Sequence, residues 1–446
     1  MTASTAAETT ALGRLRALPL WQPLAVRDFR LLWSGETVSL LGDQFHFVAL
    51  AWLVLQVTGS GLALGTVLLA SQVPRAITLL IGGALSDRLP ARSLLLASNL
   101  IRAGLSAAIA LLIFGAAVQL WQLALIGIAF GIVDAIHMPA FRSLVPRTVD
   151  EDAIAPANAL VESTMQLSSL FGPPLAGLFV ATVGIGASFG LDALSFVVAA
   201  LTVFLLAGGR RAAIASSTSG AGTADAPDEA GAAAPGMLDS IRSGLAYVFG
   251  MGSVRTVFVV SVIVNFALNG PAAVGLPWLA DQVFDAGSVG FGLLLGAWGA
   301  GALAGGLLCG ATGGRIGSGQ ALLVLIGLLG VGMVAVGLST MLPLTLLILA
   351  AMGVIVGYLN VLVISWFQRR TEPSMLGRLM SIMFLAGSIA GPFSFALTGV
   401  LVDTVGAGVF VLSGLLVLIT CAVTAAARAM PDFGPDAPTT TTRAAA

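Results

Sequence analysis

Arginine recurs in every second segment between the long apolar runs of this chain. Each run has about the twenty residues that an α-helix needs to cross a bilayer, and twelve such runs can be counted. Segments before the first run and after each even-numbered run up to the tenth contain arginine, whereas the intervening segments contain none. Because arginine is retained on the cytoplasmic side, the alternation predicts an all-α membrane protein with both termini in the cytoplasm. The predicted spans are 31–57, 62–84, 94–115, 120–140, 156–182, 186–207, 254–276, 288–312, 320–339, 343–366, 377–402 and 406–427.

Only 9% of the 446 residues are charged, against about 25% in soluble domains. So few charges cannot cover a water-facing surface of this size, and the formal net charge of −1 gives no indication of a nucleic-acid partner. All basic residues are arginine, and the lack of lysine excludes the Walker A loop of ATP-driven pumps. Cys309 and Cys421 are isolated, so no disulfide or metal framework is expected. These features favour secondary transport without ATP or a cofactor, and no enzyme motif is present.

A polar, flexible segment divides the chain into two halves. Residues 209–235 are rich in Ala, Gly, Ser and Thr, which is typical of a linker. Apolar residues at helical spacing then predict an amphipathic helix near 237–250 at the cytoplasmic interface, although this stretch could also simply continue the linker. The expected units are an N-terminal segment 1–29, a six-helix bundle 30–208, the linker region 209–252, a second six-helix bundle 253–428 and a cytoplasmic tail 429–446.

The two halves repeat each other. Residues 170–177 of span five carry a Gly-Pro-Pro sequence, and residues 390–399 of span eleven carry Gly-Pro. Two parallel six-span repeats joined by a cytoplasmic linker are the layout of the major facilitator fold. The prolines remove backbone donors and should kink their helices, either as hinges or to shape a cavity. The residues of these predicted kinks are Gly172, Pro173, Pro174, Gly391 and Pro392.

The chain resembles the major facilitator superfamily over nearly its whole length. Residues 83–92 are similar to the family's loop motif after span two, with Pro90 and Ala91 as departures. The resemblance is strongest to the macrolide-exporter and enterobactin-exporter branch of drug:proton antiporters, although an arginine that many proton antiporters carry in span four is missing. Further segments that support this branch are 29–35, 42–43, 139–142, 192–196, 244–247 and 377–381.

The loop motif predicts a conformational latch on the cytoplasmic side. The Asp87 carboxylate can pair with Arg88, Arg92 or the positive N-terminus of a neighbouring helix, with Gly83 preceding this turn. Such a cluster would hold the two halves together in one conformation and release them in the other. The alternative is that both arginines only determine topology.

Ionisable residues within the spans are concentrated in the first half. Asp43 and His46 in span one, and Asp134 and His137 in span four, share an i, i+3 spacing that places each acid beside its histidine. Charges at membrane depth are usually functional, and a buried carboxylate near a cation can exchange protons. We therefore expect Asp43, and next Asp134, to couple transport to protons or possibly sodium, with Arg75 as the counter-charge. The pairs could alternatively bind a divalent metal.

Other charged residues of these spans have simpler explanations. Glu36 and Glu162 are included among the proton-coupling residues, but with Arg102 they lie near cytoplasmic helix ends and could pair or extend to the interface there. Asp192, near the start of span six, could cap that helix.

The second half carries neutral polar residues within its spans and predicts a mainly apolar substrate cavity. Glycines at small-xxx-small spacing in spans eight and ten favour close helix packing. The polar residues expected to line the cavity are Asn265, Asn269, Trp298 and Asn360.

Together these features predict a monomeric, proton-coupled exporter of amphipathic small molecules in the inner (cytoplasmic) membrane, working by alternating access. Drugs, macrolide-like compounds and siderophores are the expected substrates. The alternatives are nutrient uptake or lipid flipping by the same fold, and, in a different class, a non-transporting membrane receptor or assembly protein.

Overall fold

The structure is a computed structural model, and all its regular secondary structure within the described residues is helical. Ten helices are long and apolar enough to cross a membrane, which confirms an all-α membrane protein. The remaining two long helices are the fifth and the shorter eleventh. The residues that the structure describes are 19–86, 89–206, 249–250, 252–314, 318–370 and 390–431.

The first half contains six long helices joined by short connections. A 3-10 helix, Pro19–Ala25, precedes them, and a shorter one, Glu151–Ala153, precedes the fifth. The first helix ends at Gly59, whose φ of 63° is in the left-handed region that glycine adopts without strain. The helices are α1 Arg27–Thr58, α2 Gly61–Ser86, α3 Ala91–Phe114, α4 Leu120–Thr148, α5 Ile154–Thr182 and α6 Ile185–Phe204.

The second half begins with a helix that runs further than the sequence predicts. We describe α7 as Gly252–Gly270, a π-helical turn Pro271–Gly275 and Leu276–Gln282. Pro271 has no N–H for the α-helical ladder, and a π turn accommodates it without ending the helix. The predicted end at residue 276 is therefore wrong. The other helices are α8 Gly287–Thr312, α9 Gly319–Leu338, α10 Leu342–Arg370, α11 Ala390–Val405 and α12 Gly408–Ala426.

Several predicted features lie outside the described residues. They include the linker, most of the amphipathic helix 237–250, the first part of span eleven, and the loop charges Asp87 and Arg88. The described residues 249–250 of that amphipathic segment are helical.

Glycine allows very close helix packing in the second half. A methyl group at Gly301 or Gly305 of α8 would overlap the carbonyl oxygens of Ala350 or Val354 in α10, and one at Gly357 would meet α8 in the same way. The small-xxx-small prediction is thus confirmed for α8 and α10, which pack with backbone against backbone.

The two halves contact each other through α5 with α8 and through α2 with α11. Ser288 donates a hydrogen bond of 2.9 Å to the carbonyl oxygen of Gly177. At the start of α2, the Asp403 carboxylate accepts bonds from the amides of Gly61 (2.7 Å) and Leu62 (3.0 Å) and from the Ser60 hydroxyl. Gly177, Ser288, Gly61 and Asp403 lie near those helix ends that lead into the connections without arginine. The described contacts therefore close the side that the arginine pattern predicts to be external.

Candidate functional site

Four charged side chains lie at the middle of four helices of the first half. Asp43 comes sixteen residues after the start of α1 and fifteen before its end. Asp134 is fourteen residues from either end of α4, and Arg102 lies eleven residues after the start of α3 and twelve before its end. Arg75 is likewise near the middle of α2. Since a helix rises by about 1.5 Å per residue, these residues form a charged layer close to the midplane, which we call the central layer.

Arg102 and Asp43 form the more buried ion pair of the central layer. Nη2 of Arg102 donates to both carboxylate oxygens of Asp43, at 2.7 and 2.9 Å. The guanidinium carbon lies 4.1 Å from the ring centre of Phe196 and 5.5 Å from that of Phe130. The Arg102 side chain is 1% exposed, whereas that of Asp43 is 31% exposed. The arginine is thus fixed by charge and aromatic contacts, while the carboxylate remains accessible.

Arg75 pairs with Asp134 in the same layer. Nε of Arg75 lies 2.9 Å from Oδ2 of Asp134, and both side chains are partly exposed. The central layer therefore contains two carboxylates and two arginines and is balanced in charge without any added proton.

A first histidine–carboxylate pair connects α4 to α1. Nε2 of His137 lies 3.3 Å from both carboxylate oxygens of Glu36, and both side chains are buried. The Ser98 hydroxyl lies 3.0 Å from Nδ1 of the same ring and donates to the Leu95 carbonyl. This inner pair, as we name it, has a fixed imidazole orientation.

A second histidine–carboxylate pair connects α1 to α6. Nδ1 of His46 lies 2.9 Å from Oδ2 of Asp192, which is completely buried. The Ser106 hydroxyl donates to the same oxygen at 2.6 Å, and the imidazole packs against Phe130 and Phe189. Among the described residues, Oδ1 of Asp192 has no hydrogen-bond partner. We name this the outer pair.

The predicted pairing within each helix is wrong. The i, i+3 spacing places Asp43 near His46 and Asp134 near His137, but each histidine bonds an acid from a different helix. The reason is that arginines of α2 and α3 already occupy the two aspartates. In the described part of the chain, no three His, Cys, Asp or Glu residues form a group that could hold a metal ion.

For two residues of these ion pairs, the sequence analysis predicts simpler roles. Arg102 does not extend to an interface but lies at mid-helix, buried. Asp192 does not cap α6, because that helix begins at Ile185 after Gly184. The available signal was their charge at membrane depth. Glu162, in contrast, is exposed and accepts a bond from Gln166 on its own helix, so the described contacts do not join it to the network.

The second half contains a mainly apolar cavity of about 180 Å³ between α7, α9 and α10. Asn265 and Asn360, two of the residues expected to contact substrate, line it together with Ser261 and aliphatic side chains. Asn269 and Trp298 are not among its lining residues in the described part of the chain, and Trp298 packs against the hydrophobic core. A larger groove of about 700 Å³ lies between α9 and α12 and contains none of the predicted site residues.

Residues of the predicted latch and kinks have other contacts. Arg92 donates to the carbonyl oxygens of Val203 and Phe204, at 3.2 and 2.7 Å, and so binds the C-terminal end of α6. Gly83 lies within α2.

Pro173 and Pro174, where kinks are predicted, lie inside an uninterrupted α5 and pack against glycines of α8. Gly172 packs against Gln44, and Gly391 and Pro392 lie in the first turn of α11, buried.

Two proteins with similar sequences are named as efflux proteins. Macrolide efflux protein A of Streptococcus pyogenes is 23% identical over 397 residues, which cover 87% of this chain and 93% of that protein. Multidrug efflux pump Tap of Mycolicibacterium fortuitum is 27% identical over 397 residues, which cover 86% of this chain and 90% of that protein.

The fold is shared with solved transporters. A D-xylose–proton symporter has a TM-score of 0.65 and 13% identity, covering 93% of this chain and 98% of that one. A transporter of the POT family has a TM-score of 0.64 and 12% identity, with 90% and 96% coverage. The family model described as transmembrane secretion effector matches residues 19–437. The chain therefore belongs to this family of the major facilitator superfamily, within its drug-exporter branch, and is a transporter rather than an enzyme.

Proposed function

We propose that this protein exports amphipathic small molecules in exchange for protons, by alternating access across the cytoplasmic (inner) membrane. In this proposal twelve helices span the bilayer, both termini are cytoplasmic and the monomer is the working unit. The observation that carries the proposal is the charge network of the first half, formed by the central layer and the two histidine–carboxylate pairs.

The composition of this network supports proton binding. It contains four carboxylates but only two arginines. Without further positive charge, two negative charges would remain inside the membrane, where an uncompensated charge is costly. Protons on the two histidine–carboxylate pairs balance the network. Their uptake from water on one side of the membrane and their release on the other would couple the proton gradient to transport.

The cavity of the second half supports an amphipathic substrate. Its lining is mostly aliphatic, with the amides of Asn265 and Asn360 as polar contacts. Its apolar lining with a few polar groups is typical of ligand sites, but its volume of about 180 Å³ is below the roughly 300–1,000 Å³ of sites for drug-sized ligands, so the lining and not the volume supports the proposal. The efflux pumps to which the chain is similar are named for macrolide and multidrug efflux, and we extend that substrate class to this protein.

The test is transport in proteoliposomes with an imposed pH gradient, using erythromycin and ethidium as probes. We expect accumulation driven by the proton gradient in the wild type, and none in Asp43→Asn, because loss of this charge leaves Arg102 unpaired and disturbs the charge balance on which proton binding by the two histidine–carboxylate pairs depends. Glu162→Gln is the matched control and should transport normally. A sodium gradient in place of the pH gradient distinguishes the two ions.

Three results would contradict the proposal. Normal proton-driven export by Asp43→Asn removes its mechanism, and substrate movement in the direction of the protons favours uptake instead. If none of the probes changes the proton flux, a receptor or assembly protein becomes the better explanation.

A further inference from the structure

Helices α9 and α12 pack closely along part of their length and leave the groove of about 700 Å³ between them at one end. In the close part, a methyl group at Gly330 would lie 3.0 Å from the carbonyl oxygen of Gly414. The groove is lined by the first two turns of α9 and the last two turns of α12, with Arg428 and Met430 beyond them. These helix ends lie on the side that the arginine pattern predicts to be cytoplasmic.

The groove and the cavity of the second half lie on different faces of α9. Leu322 lines the cavity, whereas Leu323 and Val324 line the groove. On the groove's face, Val324 is followed at helical spacing by Leu328 and Val331, and all three are exposed. A continuous exposed apolar face on a membrane-spanning helix contacts lipid, so the groove opens toward the bilayer.

The groove has a buried floor and walls of small side chains. Leu323 and Cys421 of the floor are buried, whereas Ala422 and Ala425 of the wall are exposed. Alanine at both wall positions leaves room for a chain of hydrocarbon beside α12. Its volume is within the roughly 300–1,000 Å³ of sites that bind small organic ligands.

Arg428 gives this apolar groove a positive end. Residues 318–338 and 408–431, which include both helices, contain no acid and no other base. Arg428 follows the end of α12 by two residues, and its exposed guanidinium has no ion-pair or hydrogen-bond partner among the described residues. An arginine binds phosphate oxygens through two parallel hydrogen bonds, and the side-chain amide of Gln320 adds a donor at the same end.

We propose that this groove binds an anionic phospholipid of the cytoplasmic leaflet. Its phosphate binds Arg428, and an acyl chain lies along Leu323 and Val324 toward the exposed apolar face. The cytoplasmic leaflet is the one that carries anionic lipids at its surface, so the positive end of the groove and the lipid headgroup have opposite charge at the same depth. A bound lipid fills the space between α9 and α12 and stabilises the second half, whatever the protein transports.

The chain's own C-terminal tail is the other candidate for the groove. Residues 432–446 follow directly after Pro431, and Met430 lines the groove. Phe433 is the only large apolar residue in this tail, so the tail has little apolar surface to bury in the groove. The tail also contains two acids that could approach Arg428, and the experiment therefore includes a variant that ends at Pro431.

The experiment measures binding of phosphatidylglycerol and of phosphatidylcholine to the purified full-length protein by native mass spectrometry. We expect the wild type to prefer phosphatidylglycerol, and Arg428→Gln to bind it about five-fold more weakly, which corresponds to the attraction of one arginine near an anionic headgroup. Arg147→Gln removes an exposed arginine from the last turn of α4, in the first half, and should bind as the wild type does.

A second pair of variants changes the shape of the groove without changing its charge. Ala425→Trp fills the groove and should displace the lipid, whereas Ala426→Trp adds the same side chain at an exposed position outside the lining. Because both alanines are exposed, both variants should fold.

Three results would overturn the lipid site. The first is binding of phosphatidylglycerol by Arg428→Gln or Ala425→Trp as tight as by the matched control. The second is equal binding of the two lipids by the wild type. The third is a gain of about five-fold or more in the variant that ends at Pro431, because the tail would then occupy the groove in the intact protein.

Discussion

The first and second halves of this transporter use different means to bring helices together. In the first half, charged side chains of five helices form the central layer and the two histidine–carboxylate pairs. In the second half, α8 and α10 pack glycine against backbone, and the nearby cavity is mostly aliphatic. The two halves of the chain thus differ in the side chains that lie between their helices.

Space explains this difference. An ion pair between helices needs room for two side chains, as Arg102 and Asp43 have between α3 and α1. Close backbone contact, as at Gly305, leaves room for neither. This difference agrees with our proposal, in which the first half binds protons and the second half contacts the substrate.

The largest effect should come from disrupting the glycine packing. Gly305→Leu in α8 forces a side chain against the carbonyl oxygen of Val354, so α10 must move away. We expect this overpacking to cost about 3 kcal/mol of stability or more, measured as the unfolding temperature in detergent. Gly310→Leu in the same helix is the control, since a side chain there meets no neighbouring atom within 4 Å. Equal stability of the two variants would show that close packing does not hold the second half.

Neutralising one acid of the inner pair should affect transport more than stability. In Glu36→Gln the His137 imidazole loses the negative charge that would stabilise a bound proton. We expect proton-driven transport to fall about ten-fold, corresponding to the loss of one charge-assisted bond. Glu162→Gln makes the same change at an exposed site of α5 and should have no effect. If the two variants behave alike, burial and pairing do not decide which acids carry protons.

The contact between the halves can be weakened at Asp403. Asp403→Asn keeps the size of the side chain but removes the charge that binds the amides at the start of α2. Asparagine can still accept bonds from these amides, so only the charge at the positive start of α2 is lost; this should cost about 0.5 kcal/mol and shift the population toward the conformation in which α2 and α11 are apart. Spin labels on the external ends of these helices measure that distance. Asp281→Asn, an exposed acid bonded to the adjacent Gln282, is the control; an unchanged distance in Asp403→Asn contradicts the assignment.

The smallest effect is expected in the substrate cavity. Asn360→Ala removes one polar contact, so the apparent affinity for a polar probe should change by only a few-fold, as one neutral hydrogen bond allows. The pH dependence of transport should stay the same, because the charged network is in the other half. Asn269→Ala provides the comparison, since Asn269 does not line this cavity. A shift of the pH profile in Asn360→Ala would show that proton binding and substrate binding are not separated between the two halves.

The helices and the charge asymmetry between halves could be predicted because they depend on local composition. A run of about twenty apolar residues must be helical in lipid, since no water is present to bind its backbone. Glycine spacing along α8 and α10 also predicts a packing face, because both residues of a pair lie on one side of the same helix. The difference between a first half with charged residues in its spans and a mainly apolar second half is likewise visible in the local composition.

The partners of the charges were decided only by the tertiary structure. Sequence spacing relates Asp43 to His46, which lie on one helix, but it contains no information on the distance from Asp43 to Arg102 of α3. Whether a buried acid receives an arginine or a histidine depends on which helix faces it and at what depth. For the same reason Asp192, seven residues into α6, became the acid of the outer pair. The sequence by itself determined that charges enter the membrane in the first half, and the packing of five helices determined which of them meet.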